Sequence, residues 1–195
     1  SRDNANLEEI KKLNLPFWLA GMYGSAAKLD EALALGATGV QVGTPFAFCD
    51  ESGITAEIKA NTLQKVLDQS ITIFTDPSAS ASGYPFKIVE IENSLSDEPI
   101  YRARERVCDL GYLRSAYNRK DGSIAFRCPG EPEEDYKKKG GTSEDTVNRK
   151  CLCNALLANI GLGQVRQSGY EEPPLLTAGD HMPALRELIE GGQTS

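Results

Sequence analysis

The chain has 195 residues, 40% of them hydrophobic and 25% charged, with a net charge of -7. That length can bury a core but falls short of the roughly 250 residues of a complete eight-stranded barrel. No apolar run approaches the ~20 residues that cross a bilayer, and the acidic balance argues against charge-driven nucleic-acid binding. Five cysteines in a chain of this size suit a reducing compartment better than a disulfide scaffold, so the cytoplasm is the expected location.

Ser1-Arg2-Asp3-Asn4 carries no basic-then-apolar leader. No targeting segment is therefore expected, and the chain is expected to belong to a longer or processed parent. Leu7 to Leu13 has the spacing of a short amphipathic helix, with Leu7, Ile10 and Leu13 on one face and Asn14 and Pro16 as its stop. Phe17 to Ala20 is a short buried strand by composition, followed by the turn Gly21-Met22-Tyr23-Gly24-Ser25. Ser25 is placed to cap a helix running through Leu35, which Gly36 ends. Gly39 to Val42 is the next strand, Gly43-Thr44-Pro45 the next turn, and Thr55 to Leu67 the next helix.

Beyond Ile71 the rhythm changes. Ile71 to Phe74 is a candidate strand, residues 76–85 a loop, and Phe86 to Ile91 an alternating strand. Residues 94–145 are polar, with scattered Gly and Pro, and predict an irregular excursion. Val147 to Leu162 has helical spacing through Leu152, Leu156 and Ile160, and Ala184 to Glu190 forms a closing helix. The expected organisation is α/β: residues 1–70 as final strand–helix units of a barrel, and 71–195 as an appended mixed α/β or irregular segment.

The chemistry concentrates in the first unit. A parallel strand that ends in glycine and turns straight into a helix presents backbone N–H groups at the positive end of the helix dipole, where an anion is stabilised. Two such turns side by side form a cup, here Ala20-Gly21-Met22-Tyr23-Gly24-Ser25 and Val42-Gly43-Thr44. Thr44 adds a hydroxyl. Either turn alone would be read only as a turn.

The strings Pro16-Phe17-Trp18-Leu19-Ala20-Gly21 and Glu31-Ala32-Leu33-Ala34-Leu35-Gly36-Ala37-Thr38-Gly39-Val40-Gln41-Val42-Gly43-Thr44-Pro45-Phe46 together resemble the flavin-phosphate region of the nitronate monooxygenase, formerly 2-nitropropane dioxygenase, family. That family typically has an apolar strand ending in A-G-G, a helix closing on A-L-A-L-G-A and a strand reading G-V-x-x-G-T-x-F. Met22-Tyr23 departs from the pattern where a second glycine is common. Weaker likenesses extend through Thr75 to Phe86 and Leu176 to Asp180.

The resemblance implies the C-terminal part of a (β/α)8 TIM-type barrel that binds FMN. Ala20, Gly21, Met22, Gly24, Ser25, Gly43 and Thr44 would be the cofactor-binding residues. It further implies an FMN-dependent oxidoreductase, a monooxygenase acting on alkyl nitronates as small-molecule substrate. An enoyl-thioester reductase sharing the phosphate region is the alternative enzyme, and a non-catalytic metal- or partner-binding module the alternative from another class. No catalytic residue is assigned, because the family's base, often a histidine on a loop after a middle barrel strand, is expected upstream of Ser1, and the single histidine, His181, does not match its position. No nucleic-acid or membrane partner is expected, and a homo-oligomer is compatible with the fold.

Cys108, Cys128, Cys151 and Cys153 match four-thiolate metal sites in number and type, but only Cys151 and Cys153 form a close pair. If Val147 to Leu162 is one helix, those two face different sides, so buried small hydrophobes are the expected role and no metal is assigned. Cys49 is expected in the core. Tyr101, Arg102, Arg104, Arg106, Tyr112, Arg114, Tyr117 and Arg119, interleaved with acids, are expected to form a folded surface or a cover over a cofactor or subunit.

Overall fold

In the computed structural model, residues 5–180 and 182–191 are described. The chain is mixed α/β and divides into two compact units, 1–52 with 179–195, and 53–178. The boundary drawn near residue 70 thus falls inside the second unit, and the closing helix groups with the first. Three two-stranded sheets are present among the described residues, one parallel and two antiparallel, none closed into a barrel.

The first unit begins with α1 (Leu7–Lys12), whose N-cap Asn6 side chain accepts the Glu9 N–H at 3.3 Å. Leu13 is 65% exposed, so the expected apolar face reaches the interior mainly through Leu7. Asn14 turns the chain at φ 51°. Strand β1 (Trp18–Leu19) follows, then α2 (Ala26–Ala34), β2 (Gly39–Val40) and α3 (Thr44–Ala47).

Strands β1 and β2 are parallel, with Trp18 opposite Gly39 and Leu19 opposite Val40. Bonds from Thr38 N–H to Phe17 O and from Gln41 N–H to Leu19 O, both 2.8 Å, extend the pairing at either end. Leu19, Ala32 and Ala37 form the small core, so α2 covers one face of the pair. Gly36, at φ 87°, closes α2 as expected, because only glycine takes that conformation cheaply. The Gly43-Thr44-Pro45 turn is itself the start of α3.

The second unit begins with α4 (Ala56–Leu67), capped by Thr55, and continues with β3 (Ile73–Asp76) and β4 (Phe86–Val89). The pair is antiparallel, and the Asp76 carboxylate shapes its loop by accepting the N–H groups of Ser78 and Ala79 at 2.8 and 3.0 Å. Ile88 and Val89 are both fully buried although consecutive strand residues point to opposite faces, so β4 is covered on both sides.

Residues 94–145 are more regular than expected. They hold α5 (Glu98–Ala103), the hairpin β5 (Ser115–Asn118) with β6 (Ile124–Arg127), α6 (Glu133–Lys138) and α7 (Ser143–Thr146). Asp121-Gly122 is the hairpin turn, with Gly122 at φ 81° and Asp121 Oδ1 accepting the Ser123 N–H at 2.9 Å. The Thr142 hydroxyl and the Asp145 carboxylate cap each other's backbone in a capping box.

The helix expected over 147–162 is only α8 (Leu152–Ala158). Asn148 stands at φ 59°, and the Lys150 N–H bonds Ala79 O at 2.9 Å instead of a helical carbonyl. Cys151 is therefore the N-cap, outside the helix. The unit's core gathers Ala79, Ile88, Leu95, Leu152, Ala155 and Leu175. Beside it Arg104 Nε donates to Glu172 Oε1 at 2.6 Å, with both side chains all but fully buried. Returning to the first unit, α9 (Pro183–Glu190) packs against α3.

Candidate functional site

Because β1 and β2 run parallel and in register, both strand-end turns leave the sheet at the same end. They also touch: a Cβ added to Gly24 would lie 3.4 Å from Pro45 Cγ and 3.6 Å from Val42 Cγ1. The structure thus brings together the two turns that the sequence singled out.

Within the first turn, Ala20 and Gly21 are exposed, and Gly21 takes φ 93°, which a side chain would strain. Met22 is 59% exposed. Ser25 caps α2, its Oγ accepting the Lys28 N–H at 3.4 Å. The hydroxyl hydrogen of Ser25 and the first N–H groups of α2 remain as donors at that helix end.

In the second turn, Gly43 takes an ordinary φ of -116°, and a Cβ there would meet nothing within 4 Å. Its lack of a side chain therefore serves open approach rather than backbone conformation. Thr44 Oγ1 accepts the Gly179 N–H at 2.8 Å. That contact joins the Thr44 turn to the segment Leu176 to Asp180 at Gly179, which the sequence linked to the site only weakly. Thr44 keeps its hydroxyl hydrogen as a donor. His181 lies outside the described residues, and the Thr75 to Phe86 segment lies in the second unit.

The second unit holds the other chemistry-bearing residues. Tyr101 is buried, its hydroxyl accepting from Arg106 Nη2 at 2.8 Å, with the Lys150 ammonium 4.0 Å from its ring centre. Arg127 lies over the rings of Tyr117 and Tyr136. Asp109 accepts both terminal nitrogens of Arg166 at 2.6 Å, and this hydrogen-bonded pairing lowers its carboxyl from the usual range.

The four cysteines of the 108–153 stretch and Cys49 form no disulfide, and Cys49 is only partly buried. Burial pushes the Cys128 thiol up to about 11, and burial likewise raises that of Cys151. No group of three or more His, Cys, Asp or Glu is arranged to hold a metal ion among the described residues, and no described helix is long and apolar enough to cross a membrane. Sequence reasoning did not single out Asn154, whose amide nitrogen bonds Val107 O at 3.3 Å and Asp109 Oδ2 at 2.9 Å; a lone Asn in an apolar helix gave no signal for it.

No protein-family model matches the chain, and neither a curated protein nor a solved structure matches it.

Proposed function

We propose that the paired turns of the first unit hold the phosphate of FMN, and that the chain is the C-terminal, phosphate-binding part of a TIM-type barrel oxidoreductase. The observation that carries this is the contact between two glycine-bearing turns at one end of a parallel strand pair. In eight-stranded barrels the phosphate site is commonly built from the loops after the last two strands.

The residues fit the group. Gly21 and Gly43 each leave open space where a Cβ would stand, and the α2 N-terminus, Ser25 and Thr44 offer donors. Ala20, Met22 and Gly24 complete the rim. Bound FMN would supply the electron transfer, and this chain's residues anchor and orient its tail.

The exposed apolar surface of the unit supports a larger barrel. Trp18 on β1 is 57% exposed and Phe46 67%, yet parallel strands are normally covered on both faces, and two strands alone are marginal. With the resemblance to nitronate monooxygenases, the activity is oxidation of a small organic donor such as an alkyl nitronate by oxygen, in the cytoplasm. Protein purified from cells should show flavin absorption and release FMN on denaturation. A colourless preparation that also fails to take up added FMN would overturn the assignment.

A further inference from the structure

Three chain segments far apart in sequence converge beside α8, and each carries cysteine. Asn154, directly after Cys153, bonds Val107 O and Asp109 Oδ2, the residues on either side of Cys108. On the other flank Gly130 is wedged between sulfur and backbone: a Cβ there would lie 3.6 Å from Cys128 Sγ, 3.5 Å from Lys150 O and 3.8 Å from Cys151 Cα. Glu131 fixes the Cys128 turn by accepting the Cys128 N–H at 3.3 Å. Arg114 Nη2 reaches Cys108 Sγ at 3.4 Å.

We propose that Cys108, Cys128, Cys151 and Cys153 bind one zinc ion as a four-thiolate structural site that staples these three segments.

The objection that one helix would turn Cys151 and Cys153 to different sides falls away. It assumed that Cys151 and Cys153 sit on one helix, whereas Cys151 is the N-cap, with φ -79° and ψ 83°, and only Cys153 is inside α8.

In the chain as it stands these side chains do not form a ligand shell. Closure falls to rotation about the Cα–Cβ bonds, each of which has three staggered positions. On binding, each thiol releases its proton to solvent as its sulfur joins the zinc, with no change of oxidation state. Four thiolates on Zn²⁺ leave a dianion, and Arg114, in contact with Cys108 Sγ, supplies counter-charge. The chemistry suits zinc, for which such closed thiolate sites are structural.

The test uses the full chain, expressed with zinc and purified under reductant. Metal analysis should find about one zinc per chain. Titration of reactive thiols should rise by about four when a chelator strips the metal. Cys128→Ser and Cys151→Ser should each lower bound zinc at least about tenfold, while Cys49→Ser leaves it unchanged. Because serine variants can fail to fold, wild-type chain reloaded with cobalt(II) provides a second measurement, in which thiolate-to-metal charge-transfer bands are expected. Wild-type protein with no zinc and no such bands would overturn the site. So would undiminished zinc in the Cys128→Ser/Cys151→Ser double variant, or iron with labile sulfide in place of zinc.

Discussion

Gly43 separates ligand electrostatics from backbone conformation. Its φ of -116° is ordinary for any residue, and an added Cβ meets nothing within 4 Å. Gly43→Ala should therefore fold normally, with stability changed by no more than about 1 kcal/mol. Gly43→Asp places a carboxylate where the phosphate should sit. Two unit charges about 4 Å apart at an effective dielectric near 20 repel by roughly 4 kcal/mol, and the phosphate carries more than one charge. Loss of FMN affinity by about a thousandfold or more follows, with the melting temperature little changed. Flavin fluorescence titration gives the affinity, and a thermal melt followed by circular dichroism checks the fold. FMN binding to Gly43→Asp at wild-type strength would refute the phosphate cup, as would an equal loss in Gly43→Ala. Gly21→Ala provides the contrast, because at φ 93° even a methyl group should destabilise the unit by about 1–2 kcal/mol.

Three further predictions concern the second unit. Arg104→Met strands the buried Glu172 carboxylate, which pairs with the Arg104 guanidinium at 2.6 Å, and should cost about 3–5 kcal/mol in urea unfolding, most of it recovered by Arg104→Met/Glu172→Leu. Asp109 has its carboxyl lowered, first by the hydrogen bonds from Arg166, so its stabilising contribution is present above the unfolded value near ~3.9 and is lost as pH falls through the folded value. Acid unfolding of Asp109→Asn should lack that component, and an unchanged acid transition would remove Asp109 from the account. At Gly141 a Cβ would run into the Tyr136 ring, so Gly141→Ala must displace that ring and should lower the melting temperature by roughly 2–4 °C per kcal/mol of a 1–3 kcal/mol cost.

The strand–turn–helix order of the first third was legible because its signals are local. Ser25 and Thr55 cap the helices they precede, Gly36 ends α2 with a positive φ, and the apolar runs at 18–19 and 39–40 pair as strands. The strands are shorter than composition suggested, since their ends are fixed by pairing rather than by side-chain type. Residues 147–151 were misread because Leu152, Leu156 and Ile160 keep helical spacing while Asn148 turns at φ 59° and Lys150 bonds to Ala79. The hairpin at 115–127 was missed, because its largely exposed strands give little hydrophobic contrast and the Asp121-Gly122 turn is one of many Gly-bearing stretches there. In the candidate site the two turns were legible as turns, and the Gly179 contact to Thr44 only weakly so. The convergence of the cysteine segments was not legible, because it depends on Asn154 and Gly130 holding residues more than twenty positions apart.

The most direct test of the phosphate site is the comparison of FMN with riboflavin, which differs only in lacking the phosphate, by fluorescence titration of the purified chain. Phosphate anchoring predicts that FMN binds at least about tenfold more tightly, as loss of charge-assisted hydrogen bonds worth about 1.5–3 kcal/mol requires, and that inorganic phosphate competes. Equal affinity for the two flavins, or no binding of FMN, would contradict it.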